Sequence, residues 1–429
     1  MEEKTLSAIE NLTRASKAKN TLEFWESIDY KALYLCYKNQ FKKFTFEHTR
    51  EENISILREI ISYQLIKFLL DSNPELDKKG NVPLNDYWNA LKSKDDLVKN
   101  LDEYLKSLPI SYSYYIGYEK IGEEDLFKEI DFKLVNDYSL QGISSNISKM
   151  DLSPTNNYGI MYQYLNILEG NHFKSGKYLA LKGQFLGYLP YEKDFYRLEE
   201  ELNKLFALLI LIDVFRIKTI GEIDTLQKII YFDDKGTMKQ KVVSSETSSL
   251  LQNLELNTHL QYISKDLIDE LFDKSKEFKQ KPLNLRIKEV IDAHSAIFEK
   301  ILDKSNNQEE IVTFRNLLSI YTQILGSSKK NIKYILLISL LENLIKLNGA
   351  FEPNLQVDMD TVNMVICNKK KDTLLEKKAL KEIIEKVYHE RNAIVHQANN
   401  STDLDDSFYK VLFIATSLMQ DFIKIIPGK

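Results

Sequence analysis

The sequence predicts a mainly helical protein with an α+β middle region and a helical bundle at its C-terminal end. Three observations carry this. Apolar residues recur near a period of 3.6 between Thr21 and Leu108, β-prone residues rise at Pro109, and after Leu254 the helical period returns segment after segment. A chain of 429 residues also exceeds what one hydrophobic core usually organises. The division this suggests is a helical N-terminal region over 1–108, an α+β middle domain over 109–254, and a helical domain over 255–429.

In the N-terminal region, Phe24, Trp25, Ile28, Tyr30, Leu33 and Leu35 form one apolar run, and Ile54, Leu57, Ile60, Ile61, Leu65 and Leu69 form a second at helical spacing. Pro83 followed by Leu84-Asn85-Asp86-Tyr87 is a further helix start, because proline suits the first turn. In the middle region, Ile110 to Tyr118, Ile130 to Val135 and Tyr178 to Leu181 predict strands. Ile229 to Val243 predicts a hairpin turning at Gly236, and Phe195 to Ile217 a long helix between the strands. Beyond Leu254 no strand is expected. Helices are predicted over His259–Phe278, Leu283–Leu302, Glu309–Leu325, Asn331–Leu347, Leu374–His396 and Asp405–Ile426, with turns such as Gly326-Ser327-Ser328 between them. On the fourth of these, Ile332, Ile335, Leu336, Leu340, Leu344 and Leu347 make the expected core face, with Ser339 and Asn343 set into it.

Composition narrows the function classes. With 43% hydrophobic and 28% charged residues the chain is an ordinary globular one, and a formal net charge of -5 supplies no global field for nucleic acid. Any RNA site must be a local patch. Cys36 and Cys367 lie in apolar neighbourhoods far apart, which reads as reduced core thiols. The opening Met1-Glu2-Glu3-Lys4 lacks a secretory pattern, and the apolar runs Leu205–Ile212 and Ile335–Leu341 are too short to span a bilayer, so a cytoplasmic protein away from membranes is expected. No cofactor or metal is expected either. Gly117 to Glu124 has two-glycine spacing but puts Glu123 where a phosphate-binding lysine belongs. Asp358-Met359-Asp360 reads as a turn, Asp403 to Asp406 as an acidic helix start, and Glu129 to Lys133 as an alternating surface strand.

One segment carries chemistry. Val387-Tyr388-His389-Glu390-Arg391-Asn392-Ala393-Ile394-Val395-His396 closes a long amphipathic helix with an arginine, a polar residue directly after it, and a histidine five positions on. At 100° per residue Leu380, Ile383, Ile384, Val387, Ile394 and Val395 share an apolar stripe that includes Arg391. A cation there needs a partner, and Glu342, within Leu340-Leu341-Glu342-Asn343-Leu344, is the expected one. His396 lies about 140° from Arg391, on the side of His389 and Asn392. Either the last turn distorts, or a second copy of the chain completes the site.

The segment resembles the Arg-x4-6-His signature of HEPN ribonucleases over roughly the last third of the chain, with Arg391, Asn392 and His396 as the matching residues. The resemblance implies an antiparallel helical bundle and a homodimer, or a higher homo-oligomer, with both motifs facing one cleft. It further implies an endoribonuclease leaving a 2′,3′-cyclic phosphate, of the ApeA-like toxin type that acts in antiviral defence, with a phage trigger or an antitoxin as further partner. A second Arg-x4-6-His is absent, so dimerisation is the route to a composite site. Such a cleft cuts RNA without metal: a neutral histidine takes the 2′-hydroxyl proton, the freed oxygen attacks the adjacent phosphorus, a protonated histidine gives its proton to the leaving 5′-oxygen, and arginine stabilises the phosphorane-like charge. By the same resemblance the α+β middle domain would sense a trigger or regulate the cut. DNA, lacking the 2′-hydroxyl, is spared. Tyr388 and His389 are supporting candidates, and Lys369, Lys370, Lys371, Lys377 and Lys378 are candidate RNA-backbone contacts. The competing reading is a non-catalytic HEPN-like binding, scaffold or regulatory protein, in which His396 interacts with the last helix carbonyls and Arg391 forms a salt bridge.

Overall fold

Helices open and close the chain, and a small sheet lies between them in sequence. The computed structural model describes residues 7–77, 82–121, 131–134, 138–144, 177–217, 227–236, 238–257, 281, 283–303, 305–327, 329–348, 377–397 and 406–426. The fold forms two compact units, one of Met1–Tyr114, Gln184–Arg197 and Tyr231–Met238, the other of Tyr115–Gly183, Leu198–Ile230 and Lys239–Lys429.

The first unit contains α1 (Ala8–Ser16), α2 (Thr21–Ser27), α3 (Tyr30–Phe41), α4 (Arg50–Ser72), α5 (Pro74–Asp77), α6 (Leu84–Ala90) and α7 (Lys94–Lys106). Two of these start on reciprocal capping boxes, Ser7 with Glu10 and Thr49 with Glu52, each pair satisfying backbone donors that a helix start leaves open. The predicted run on α4 is core: Leu57, Ile60, Ile61, Leu65 and Leu69 are fully buried. Cys36 corrects the sequence reading, because its thiol is exposed; α3 turns Leu33, Tyr34 and Tyr37 inward instead. Cys367 lies outside the described residues.

The strands are β1 (Ile110–Ile121), β2 (Asp131–Lys133), β3 (Ser139–Ser144) and β4 (Lys177–Gly187); then, after α8 (Glu192–Leu211), β5 (Phe215–Ile217), β6 (Lys228–Phe232) and β7 (Met238–Val242). Six of them form a sheet in the order β2-β3-β4-β1-β6-β7, with β3 antiparallel to both β2 and β4. The β6–β7 turn sits where Gly236 predicts it. Asp233 accepts from the Lys235 and Gly236 amides, and Gly236 takes a φ of 75° that a side chain would resist.

The second unit corrects two expectations. The helix expected to reach Ile217 stops at Leu211, because Asp213 adopts a left-handed φ of 61° while the Val214 amide reaches back to the Leu209 carbonyl, a Schellman termination. A strand also follows Leu254: α9 (Ser245–Gln252) leads into β8 (Leu254–Leu256), which pairs with β5. Asn257 then donates its side-chain amide to the Asp213 carbonyl, and Gln420 donates to the Asp213 carboxylate.

The remaining helices are α10 (Leu283–Leu302), α11 (Glu309–Gly326), α12 (Lys330–Asn348), α13 (Lys377–Gln397) and α14 (Asp406–Ile425), close to the bounds the periodicity predicts. The predicted helix His259–Phe278 lies outside the described residues. α12 packs against α11, α13 and α14, and α13 against α14. The core face of α12 is the predicted one at Leu340 and Leu344 but not at its N-terminal end. Tyr334, Leu337, Ile338, Leu340, Leu341 and Leu344 are buried, whereas Ile332 is 39% exposed. A helix that is apolar nearly all round, with neighbours on several sides, has its rotation set by tertiary packing rather than by its own pattern.

Gly326 marks a close approach. A Cβ built there would sit 2.8 Å from the Glu246 carbonyl oxygen, backbone that cannot swing aside. Gly326→Ala is expected to lose about 1–3 kcal/mol of stability by urea titration, through overpacking where α9 meets α11.

Candidate functional site

α13 carries the motif. Ile384 and Val387 are fully buried, which fixes one side of the helix in the bundle, and Tyr388 follows half-buried. Its hydroxyl donates to Glu342 Oε1 on α12 at 2.8 Å. Burial first, and then the adjacent Glu342 carboxylate, raise the Tyr388 pKa above its ordinary value, with Arg391 opposing in part. The phenol is therefore a neutral donor that ties α13 to α12.

This differs from the partner the sequence suggests. Glu342 receives Tyr388, and among the described residues no ion pair joins it to Arg391. The guanidinium Nη1 instead donates to Asn392 Oδ1 at 3.0 Å, while Nε is buried without a partner among the described residues. The fork is thus only partly satisfied. A guanidinium in that condition suits an incoming anion, since an unpaired buried donor is costly until something accepts from it. Asn392 is exposed, and accepting through Oδ1 leaves its amide hydrogens for a ligand.

The helix stays regular through Gln397, so the last turn does not swing His396 towards Arg391. Five residues of α-helix separate the two by about 7.5 Å of rise and about 140° of rotation. The His396 side chain lies outside what the structure describes, as do those of Lys377 and Lys378 at the start of α13; Lys369, Lys370 and Lys371 lie wholly outside the described residues. His389 is exposed. Val395 departs from its predicted buried place and is 46% exposed, because the apolar stripe outruns its cover near the end of the helix.

Two polar features escaped the sequence reading. In the first unit His48 Nε2 lies 2.5 Å from Asp194 Oδ1 with both side chains fully buried; His48 Nδ1 and Asp194 Oδ2 have no partner among the described residues. In the second, Lys333 on α12 is 1% exposed and its ammonium has no partner among the described residues. No spacing announces either one, since His48 and Asp194 are 146 positions apart and Lys333 follows Lys329, Lys330 and Asn331 at a helix start, where a lysine reads as solvated.

Among the described residues no group of three or more His, Cys, Asp or Glu is arranged to hold a metal ion, and no helix is long and apolar enough to cross a membrane. Comparison with known proteins finds no matching family model, no matching curated protein and no matching solved structure.

Proposed function

We propose that the chain is a metal-independent endoribonuclease of the HEPN type, acting in the cytoplasm as a toxin or abortive-infection effector of antiviral defence. The observation that supports it is Arg391: a partly satisfied guanidinium, bonded to Asn392, on a helix that Tyr388 ties to Glu342 and that runs on through His396. Arg391 holds the scissile phosphate, His396 moves the proton of the 2′-hydroxyl, and Asn392 orients phosphate. Because the straight helix parts Arg391 from His396, the working cleft takes one from each of two copies. His389 and the lysines at 369–371, 377 and 378 would line the RNA path. Residues before the bundle restrain or trigger the cut.

The test is cleavage of a mixed RNA pool by purified protein with chelator present. Cutting should persist in chelator, vanish in His396→Ala, and fall about 10²–10³-fold in Arg391→Ala, the loss usual for one transition-state donor. Sedimentation should give a dimer at concentrations where cutting occurs. Cutting that stops with chelator and survives His396→Ala would sink the proposal. RNA binding without cutting would favour a scaffold built on the same bundle.

A further inference from the structure

A cavity of about 350 Å³ opens in the first unit, lined from α2, α3 and α4 by Trp25, Glu26, Ile28, Tyr30, Arg58 and Ser62. The corner between α2 and α3 is clamped from behind by Asn11, which is fully buried. Its side-chain amide donates to the Asp29 carbonyl at 2.8 Å, and its Oδ1 accepts from the Asp29 amide at 3.1 Å. Asp29 in turn caps α3, accepting from the Lys31 and Ala32 amides. Arg58 and Ser62, one helical turn apart, come to the cavity from one face of α4. The walls are therefore built in advance, which spares a ligand the cost of ordering them.

The lining carries one charge of each sign, Arg58 and Glu26, both exposed, and among the described residues neither forms an ion pair. A bare anion drawn to Arg58 meets the Glu26 carboxylate, and a bare cation drawn to Glu26 meets the guanidinium. A ligand bearing both charges satisfies both. The Arg58 guanidinium lies 4.9 Å from the Tyr30 ring centroid, a contact that uses its face and leaves its N–H edge for a carboxylate. Ser62 and Tyr30 add hydroxyl donors, and burial pushes the Tyr30 phenol up to about 12, so it stays neutral. Trp25 and Ile28 supply apolar wall, and the Trp25 Nε1 is buried with no acceptor among the described residues, a donor that is costly until something accepts from it.

We propose that this cavity binds a free α-amino acid with an apolar side chain. Its carboxylate meets the Arg58 fork and the Ser62 and Tyr30 hydroxyls, its ammonium faces Glu26, and its side chain lies against Trp25 and Ile28. The size fits a single amino acid, since ligand pockets run from roughly 300 to 1,000 Å³ and this one stands at the small end. The site uses none of the residues named for RNA cleavage and stands or falls apart from that reading.

Calorimetry on the full chain at neutral pH and low salt tests it with L-phenylalanine and L-leucine. The controls are phenylpropanoate, which lacks the ammonium, and phenylethylamine, which lacks the carboxylate. At least one amino acid should bind, and both single-charge controls should bind about tenfold more weakly or not at all, the size of one lost charge-assisted contact. Arg58→Gln should weaken the amino acid but not phenylethylamine, and Glu26→Gln should weaken the amino acid but not phenylpropanoate. Both positions are exposed, so the melting temperature should hold in each. No binding of either amino acid, a control that matches them, or an affinity unchanged in either variant would overturn the proposal.

Discussion

Asp194→Ala is expected to destabilise the protein by roughly 3–5 kcal/mol, the usual result of removing one partner from a buried pair. His48 and Asp194 meet at 2.5 Å with neither side chain exposed. The imidazole is boxed by Phe44 and Tyr191, whose ring centroids lie 6.0 and 6.1 Å from its own. Without the carboxylate, both ring nitrogens would be left among aromatic carbon. The Arg197 guanidinium, 3.9 Å from Asp194 Oδ1, would lose a counter-charge too. Beside the pair, Thr45 bonds to Leu186 through both its amide and its hydroxyl, so the strain falls on the segment that carries His48 to the start of α8. Asp194→Asn, which keeps one hydrogen bond, should cost less. A double change to His48→Phe and Asp194→Leu should recover most of the loss, because nothing polar is then left buried alone. Urea unfolding of the three variants measures this; a loss below about 1 kcal/mol in Asp194→Ala would show the pair to be incidental.

Lys333 has the opposite sign. Its ammonium is buried without a partner among the described residues, and burial lowers its pKa from 10.5 to about 8. Between those two values the folded chain binds fewer protons than the unfolded one, so stability rises with pH across that window. Below it both states carry the charge and the folded state bears the whole cost, on the order of 3 kcal/mol for a shift of this size. Lys333→Met, similar in length and without the amine, should therefore be more stable at neutral pH by a comparable amount and lack the upward slope. The difference between the two chains isolates this group from the buried phenols, whose raised pKa values act the other way above about pH 10. Parallel stability curves for the two proteins would refute the assignment.

Local signals were readable and tertiary ones were not. The hairpin turning at Gly236 and the helices at 283–302, 309–326 and 330–348 follow from turn chemistry and the 3.6 period, properties of neighbouring residues. β8 was missed because three residues hold too little alternation to register, and its pairing with β5 is a long-range fact. On α12 the pattern yields Leu340 and Leu344 but misplaces Ile332, because the apolar residues encircle the helix. At the candidate site the sequence supplies Arg391, Asn392 and His396 on one helix, and it singles out Glu342. What it could not supply is that Tyr388 rather than Arg391 takes that carboxylate, since the choice between two neighbouring donors on one helix is made by packing. The His48–Asp194 pair draws on distant segments, where no periodicity operates.

Asp213 gives this chain a clock. Its left-handed turn ends α8, and its carboxylate is held by Gln420, 207 residues further on. At a ribosomal pace of about 5–20 residues per second, roughly 10 to 40 seconds of synthesis separate the making of the turn from the arrival of the side chain that fastens it. During that interval the end of α8 waits with Asn257 as its earlier tie. A nascent chain interrupted before α14 thus lacks the Gln420 bond to Asp213 and the packing of α14 against α12 and α13, and is the more open to chaperones and proteases.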